Sequence, residues 1–189
     1  MVKYLIICLN KLFLHIIHHA MMPFKLKKKL YLVNKMNKYK LIQHAPYAPG
    51  LRYFGFGPNF IPRSGLRKLK LLFNKNTFWA RNRSIGSLKK ILSHSNVVIS
   101  VWDNKNLIGF GRATSDESCR AVLWDIVVDK DYQINGIGMQ IIQSILRSKL
   151  ISKVEKVYLM TTNGQDFYIN NGFKISEKQK LMYYSIKNN

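Results

Sequence analysis

The first 102 residues contain no aspartate and no glutamate. All 9 acidic residues lie at or after Asp103, whereas 19 of the 31 lysines and arginines lie before it. The chain carries +22 overall, and most of that charge sits in this acid-free half. A surface of one sign attracts polyanions: nucleic acid, a membrane face, or a phosphorylated ligand. An AT-rich genome, such as a plastid's, accounts for abundant Lys, Asn and Ile, but not for missing acids. No recognisable RNA-binding signature accompanies the charge.

Cysteine is equally scarce. Cys8 and Cys119 are far apart, so they form neither a disulfide framework nor a metal cluster, and read as two thiols in a reducing compartment. His15, His18 and His19 have one-face helical spacing but no supporting Cys or carboxylate, so they read as a surface triplet and no metal is expected. Long apolar runs are missing too. Asn10 and Lys11 interrupt the stretch over residues 4–20, which falls short of a bilayer span. It also makes a poor signal peptide, with one lysine ahead of it and no small-residue cleavage site; Met21, Met22 and Met36 are alternative starts. Neither a Rossmann Gly-x-Gly-x-x-Gly nor a Walker Gly-Lys-Ser/Thr occurs.

What remains is a chain of 189 residues, 47% hydrophobic, enough for one well-cored domain with an extension. Lys25 to Lys29 is a charge run, and Ala45-Pro-Tyr-Ala-Pro-Gly50 is turn chemistry. The expected division is a basic extension over residues 1–45, which need not be ordered, and a folded domain over 46–189. Leu51–Phe56 alternates as a first strand, followed by a loop to Ser64. Ser64 is placed to cap a helix to about Asn74, with Leu66, Leu69 and Phe73 on one side; Ser84 or Ser87 is placed to cap a second to about His94. Val97–Val101 and Leu107–Thr114 read as a hairpin turning at Asp103–Asn106, and Ala121–Val128 as the next strand. Gly136–Leu150 carries Ile137, Ile141, Ile145 and Leu146 as a helical stripe. Val154–Met160 is a strand, Asn163 a cap for a helix ending at Gly172, and Phe173–Ile175 and Met182–Ile186 closing strands. The fold class is α/β: a mixed sheet flanked by helices.

The most informative segment is Trp124-Asp-Ile-Val-Val-Asp-Lys-Asp-Tyr-Gln-Ile-Asn-Gly-Ile-Gly-Met139. An apolar strand is followed by Gln133-x-x-Gly136-x-Gly138 opening a helix. Unpaired N–H groups at a helix N-terminus, reinforced by the helix dipole, suit a phosphate or pyrophosphate. Glycine lets the backbone bend and approach the anion. The glycine spacing alone is weak; the strand before it and the helix after it strengthen it. With Asp166-Phe-Tyr-Ile-Asn-Asn-Gly-Phe173 downstream and Lys105-Asn-Leu-Ile-Gly-Phe-Gly-Arg-Ala-Thr-Ser-Asp116 upstream, it resembles the GNAT (Gcn5-related) N-acetyltransferases, closest to the plastid type of plants and algae. The resemblance covers about residues 97–187, fits 51–96 loosely, and does not reach 1–45.

The resemblance implies acetyl-CoA as cosubstrate, no metal, and an amine acceptor: a protein lysine, an N-terminus or a small arylalkylamine. Pyrophosphate would meet the N–H groups of Gln133, Ile134, Asn135, Gly136, Ile137, Gly138 and Met139. Pantetheine would lie along Ile126-Val127-Val128 like an added strand. Tyr168 would be the general acid near the sulfur, and Asn163 would cap its helix and touch pantetheine. The Glu that some members carry on the fourth strand falls at Val122, which leaves Asp125 or a water chain to take the amine proton. Trp79 and Trp124 are candidates for an aromatic acceptor pocket. The plastid stroma is the implied location. Two alternatives stay open: a CoA-binding sensor or scaffold, and a basic RNA- or membrane-associated protein.

Overall fold

The computed structural model describes residues 38–55 and 64–186. The stretch over 4–20, the histidine triplet, Lys25–Lys29 and the loop before Ser64 lie outside them. The chain divides after Tyr158 into two compact units.

The first unit holds a five-stranded sheet in the order β1-β2-β3-β4-β5. Its strands are β1 (Lys40–Gln43), β2 (Val97–Asp103), β3 (Asn106–Ser115), β4 (Arg120–Val128) and β5 (Lys156–Tyr158). The β1–β2, β2–β3 and β3–β4 pairs are antiparallel and β4–β5 is parallel. The helices are α1 (Gly65–Asn76), α2 (Ile85–Ser93) and α3 (Ile137–Leu146). The expected mixed sheet with flanking helices is therefore present. Asn104, at φ 51, makes the tight β2–β3 turn.

Two expectations are corrected at the N-terminal end. Leu51–Phe56 is not the first strand: Gly50–Phe54 is one π-helical turn. Pro49 already sits at helical angles, φ −60 and ψ −38, and Gly55 ends the turn in the left-handed conformation. Leu51 is fully buried while Tyr53 and Phe54 face outward, so six alternating residues did not distinguish a strand from a turn. The first strand is β1, within the stretch assigned to the extension. His44 N–H donates to the Val98 carbonyl and Tyr47 N–H to that of Ser95, so the turn after β1 is stitched to the folded unit.

Pleat alternation sends successive β3 side chains to opposite faces. Phe110 meets Phe73 of α1 edge-on, ring centroids 5.6 Å apart, in a core with Leu51, Leu69, Leu88, Trp102 and Val127. On the other face β3 carries Gly109 and Gly111, under Ile137, Ile141 and Ile145 of α3. A Cβ on Gly111 would overlap Ile141 Cγ2 and come within 2.8 Å of Ile126 Cδ1. The absent side chains thus set how closely α3 lies on the sheet. The predicted stripe is correct, with Ile142 also buried, and α3 ends at Leu146, four residues early. Ser84 caps α2, its Oγ accepting from Ser87 N–H at 3.0 Å.

A polar chain crosses the β1–β2 pair. Trp102 Nε1–H donates to Ser100 Oγ at 2.8 Å, and Ser100 Oγ lies 2.8 Å from His44 Nε2. The indole can only donate, so Ser100 Oγ accepts from it and keeps a hydrogen and a second lone pair, either of which can meet His44 Nε2. Burial drives the His44 pKa down to about 4.

In the second unit α4 (Gln165–Ile169) is preceded by Gly164, not Asn163, and carries no side-chain cap. Asn163 is exposed, and Thr161 Oγ1 accepts from Gly164 N–H at 3.0 Å. Gly172, at φ 88, terminates the helix as expected: its N–H bonds to the Ile169 carbonyl and that of Phe173 to Tyr168. The Tyr168 and Phe173 rings close the motif at 5.8 Å. Phe173–Ile175 and Met182–Ile186 are irregular chain rather than closing strands, because alternation makes a strand only where a neighbouring edge takes up its ladder.

Gly111→Ala forces a methyl against Ile141, whose χ1 is stiff within a helix, and should destabilise the protein by about 1–3 kcal/mol in urea unfolding. A second expectation concerns acid. With an unfolded His44 pKa near 6.5 and a folded one at about 4, unfolding takes up a proton between those values. Stability present above pH 6.5 is then lost as pH falls toward 4, by on the order of 2–3 kcal/mol. His44→Gln should flatten the urea midpoint against pH in that window; an unchanged slope would assign it to other groups.

Candidate functional site

Beyond Val122 and Tyr158 the β4–β5 ladder stops. From Leu123 onward β4 has no strand on that side among the described residues. Asp129 N–H donates to the Ile108 carbonyl at 2.8 Å, so alternation turns Val127 toward β3 and Val128 N–H and C=O toward the open edge. Val127 is 5% exposed and belongs to the core, as expected of its side chain; Ile126 and Val128 are half-buried.

The same strand contains a bulge. Phe110 pairs with Val127 and Arg112 with Trp124, so Gly111 alone faces Asp125 and Ile126. Asp125 sits at φ 51, a left-handed residue within a strand. Its carboxylate is 5% exposed and accepts from Arg112 Nε at 2.7 Å and from Arg83 Nη1 at 3.1 Å to each oxygen. Trp124 donates to Thr114 Oγ1 at 2.8 Å and lies under the Arg112 guanidinium. Trp79 is half exposed, stacked edge-on with Phe78 in the α1–α2 loop.

Chain leaving β4 is gripped by the end of α1. Lys75 Nζ bonds Asp129 at 2.8 Å and Asp131 at 2.7 Å, and these bonds raise the lysine pKa. Asn76 Oδ1 accepts from Lys130 N–H at 3.0 Å. Tyr132 donates its hydroxyl to Asp103 at 3.0 Å, which raises the tyrosine pKa. The turn then bends through Ile134 at φ 66 and Gly136 at φ 76. Ile134 is fully exposed, and a left-handed β-branched residue is strained. Gln133 points back: Nε2 donates to the Val128 carbonyl at 3.3 Å. Asn135 Nδ2 donates to the Tyr132 carbonyl at 3.1 Å.

Gly136 is the N-cap of α3, with no side-chain cap and no acid in the first turn. Ile137 is buried while Gly138 and Met139 are half-buried, so the first N–H groups of a buried helix stay uncapped at its mouth. One turn on, Gln140 Nε2 is buried and unpaired, a donor that no local pattern singles out. Uncapped amides, a positive helix end and an orphan donor suit an anion, and Lys75 offsets part of the negative charge of Asp129 and Asp131. The open β4 edge beside them suits an extended amide-bearing arm. Among the described residues no cluster of His, Cys, Asp or Glu could hold a metal.

Residues 94–175 match the family described as "Acetyltransferase (GNAT) domain". The chain carries a GNAT domain. It is 34% identical over 105 residues to an "Uncharacterized N-acetyltransferase ycf52-like" of Prochlorococcus marinus, covering 53% of this chain and 58% of that protein. It is 38% identical over 71 residues to the "GCN5-related N-acetyltransferase 2, chloroplastic" of Arabidopsis thaliana, covering 37% and 28%. The chain thus spans less than two thirds of either relative. A GNAT-family structure from Xanthomonas campestris pv. campestris aligns with TM-score 0.60 at 17% identity, covering 78% of this chain and 94% of that one, which establishes the fold.

Gln133 to Met139 and Ile126 to Val128 lie together in the first unit of this GNAT domain. Tyr168 and Asn163 lie in the second. Tyr168 is half-buried, its ring between Phe167 and Phe173, and burial raises its pKa above the ordinary 10. Arg83, Arg112 and Lys75, missed in the sequence, pair with carboxylates 13 to 56 residues away, and no local pattern announces such partners.

Proposed function

We propose that this protein is an acetyl-CoA-dependent N-acetyltransferase that acetylates a primary amine by direct attack. The observation that carries this reading is the uncapped α3 terminus next to a β4 edge that lost its neighbour after Val122. The N–H groups from Gln133 to Met139 would take the pyrophosphate, with Gln140 adding a donor. Val128 would offer its N–H to the amide-bearing arm of pantetheine, together with the second lone pair of its carbonyl, the first being taken by Gln133 Nε2. A β4 amide at the open edge would donate to the acetyl oxygen as negative charge gathers there.

The amine nitrogen forms the new bond to the acetyl carbon, and the carbon–sulfur bond breaks. Tyr168 is the general acid in this proposal: its O–H gives the proton that the departing thiolate takes up. A raised pKa keeps that proton in place at neutral pH. The ammonium proton of the amine leaves through water. Asp125, the expected candidate base, has both oxygens engaged by guanidinium groups, so it has little capacity to receive it. The acceptor is a protein lysine, an N-terminus or a small arylalkylamine, and the plastid is the proposed location, in keeping with the chloroplastic name of one relative.

Binding tests the cosubstrate. At a hundredfold excess over Kd, acetyl-CoA should raise the thermal midpoint by about 2.7 kcal/mol of linkage, roughly 5–10 °C. Gly136→Trp should abolish the shift, and 3′,5′-ADP should give a smaller one. Equal shifts with both ligands would mean that only phosphate is recognised. Kinetics test the acid: Tyr168→Phe should lower kcat about 10²- to 10⁴-fold with little change in acetyl-CoA binding. In the parent protein kcat should fall only as pH rises past the raised tyrosine pKa, and Tyr168→Phe should lack that limb.

A further inference from the structure

We propose that Asp125 is a positioning residue: clamped by Arg83 and Arg112, it holds β4 in its bulged form and so sets the edge on which the pantetheine arm lies. The inference rests on the acetyl-CoA reading above. It gives Asp125 a role through the backbone rather than through proton transfer.

The bulge does not follow from the backbone's own preferences. A non-glycine residue at φ 51 is strained, and such conformations persist where the surroundings over-determine them. Asp125 is over-determined from two directions. Arg112 comes from the neighbouring strand β3, directly opposite Trp124, and is anchored by a 3.3 Å bond to Ser95 Oγ and by the Trp124 ring at 5.6 Å. Arg83 comes from the loop ahead of α2 and is seated over the Phe73 ring at 5.5 Å. The two side chains converge on a carboxylate that is 5% exposed. Their own exposures are 26% for Arg83 and 10% for Arg112, so removing the carboxylate would leave two half-buried cations facing each other.

The consequence for the edge is one of register. The extra residue at Asp125–Ile126 shifts everything after it by one position against β3. Without it, alternation would turn the side chains and amides of Val127 and Val128 over, burying the pair of Val128 groups that face the open edge. The glycine turn is held separately, by Lys75, Asn76 and Tyr132. The clamp therefore acts on the arm of the ligand and not on its phosphates.

That separation gives the test. Dissociation constants for acetyl-CoA and for 3′,5′-ADP are measured by calorimetry on the full chain and on Asp125→Asn, Arg83→Met and Arg83→Lys. The expected result is a tenfold or greater loss for acetyl-CoA in Asp125→Asn and Arg83→Met, with 3′,5′-ADP within twofold. Arg83→Lys, which keeps one charged bond, should recover part of the loss. Parallel weakening of both ligands would show a general loss of structure, and unchanged acetyl-CoA binding would show that the edge does not need the clamp. Either overturns the proposal. Failure of the parent chain to bind acetyl-CoA while still binding 3′,5′-ADP would instead remove the cosubstrate reading, and the clamp's role with it. Should Asp125→Asn not fold, Arg83→Met decides, since Arg83 is the more exposed partner.

Discussion

The close approach of α3 to β3 is the constraint on which the rest of the site depends. A helix packs at close range only where the surface beneath it has no side chains, and Gly109 and Gly111 supply that bare strip. Ile137, Ile141 and Ile145 fill it. With the helix axis fixed, its N-terminus is fixed too, and so is the turn that feeds it. Gly136 reaches the helix in the left-handed conformation because the chain must leave β4 and reverse within a few residues. An uncapped helix end on a mobile helix would be of little use to a ligand; one pinned by three buried isoleucines is preorganised.

Charge is distributed to the same end. Four of the nine acids lie on the strands and turn that lead to α3, and each of these four meets a specific partner: Asp129 and Asp131 meet Lys75, Asp103 meets Tyr132, and Asp125 meets two arginines. Left alone, Asp129 and Asp131 would repel phosphate from the amides that follow them. Lys75 offsets one of their two charges and so reduces that repulsion, and at the same time it ties α1 to the turn. The acid-free half is therefore not merely a diffuse positive field. It supplies two of the three cations that fix the acidic half around its site, Lys75 and Arg83; the third, Arg112, comes from β3.

Sequence patterns disclosed the elements that bury one strong face. The stripes of α1 and α3, the alternation of β2 to β4 and the serine cap of α2 are each local, and each is present. The glycine turn was legible for the same reason: left-handed and uncapped positions select glycine. Short segments were not legible. Lys40–Gln43 is four residues of mixed polarity and became a strand only because β2 offered an edge, whereas the alternating stretch from Leu51 begins as a turn, Gly50–Phe54, because Pro49 and Gly55 bracket it. The cap of α4 shifted by one residue, from Asn163 to Gly164, within the usual uncertainty of helix ends. Asp125 was picked out for its charge, yet its arginine partners are 13 and 42 residues distant, and no spacing rule reaches that far.

A carboxylate in a site is easily taken for a base, and Asp125 shows why its oxygens must be counted first. A base needs a free lone pair directed at the proton it will take. Three N–H contacts from two guanidiniums engage both oxygens of Asp125, and its left-handed backbone ties the same residue to the shape of β4. In the reaction proposed above, a carboxylate placed in the strand leaves the amine proton to water. Val122, at the position where the resemblance puts the Glu of some GNAT proteins, pairs with Thr114 and with Tyr158 in the last rung of the β4–β5 ladder.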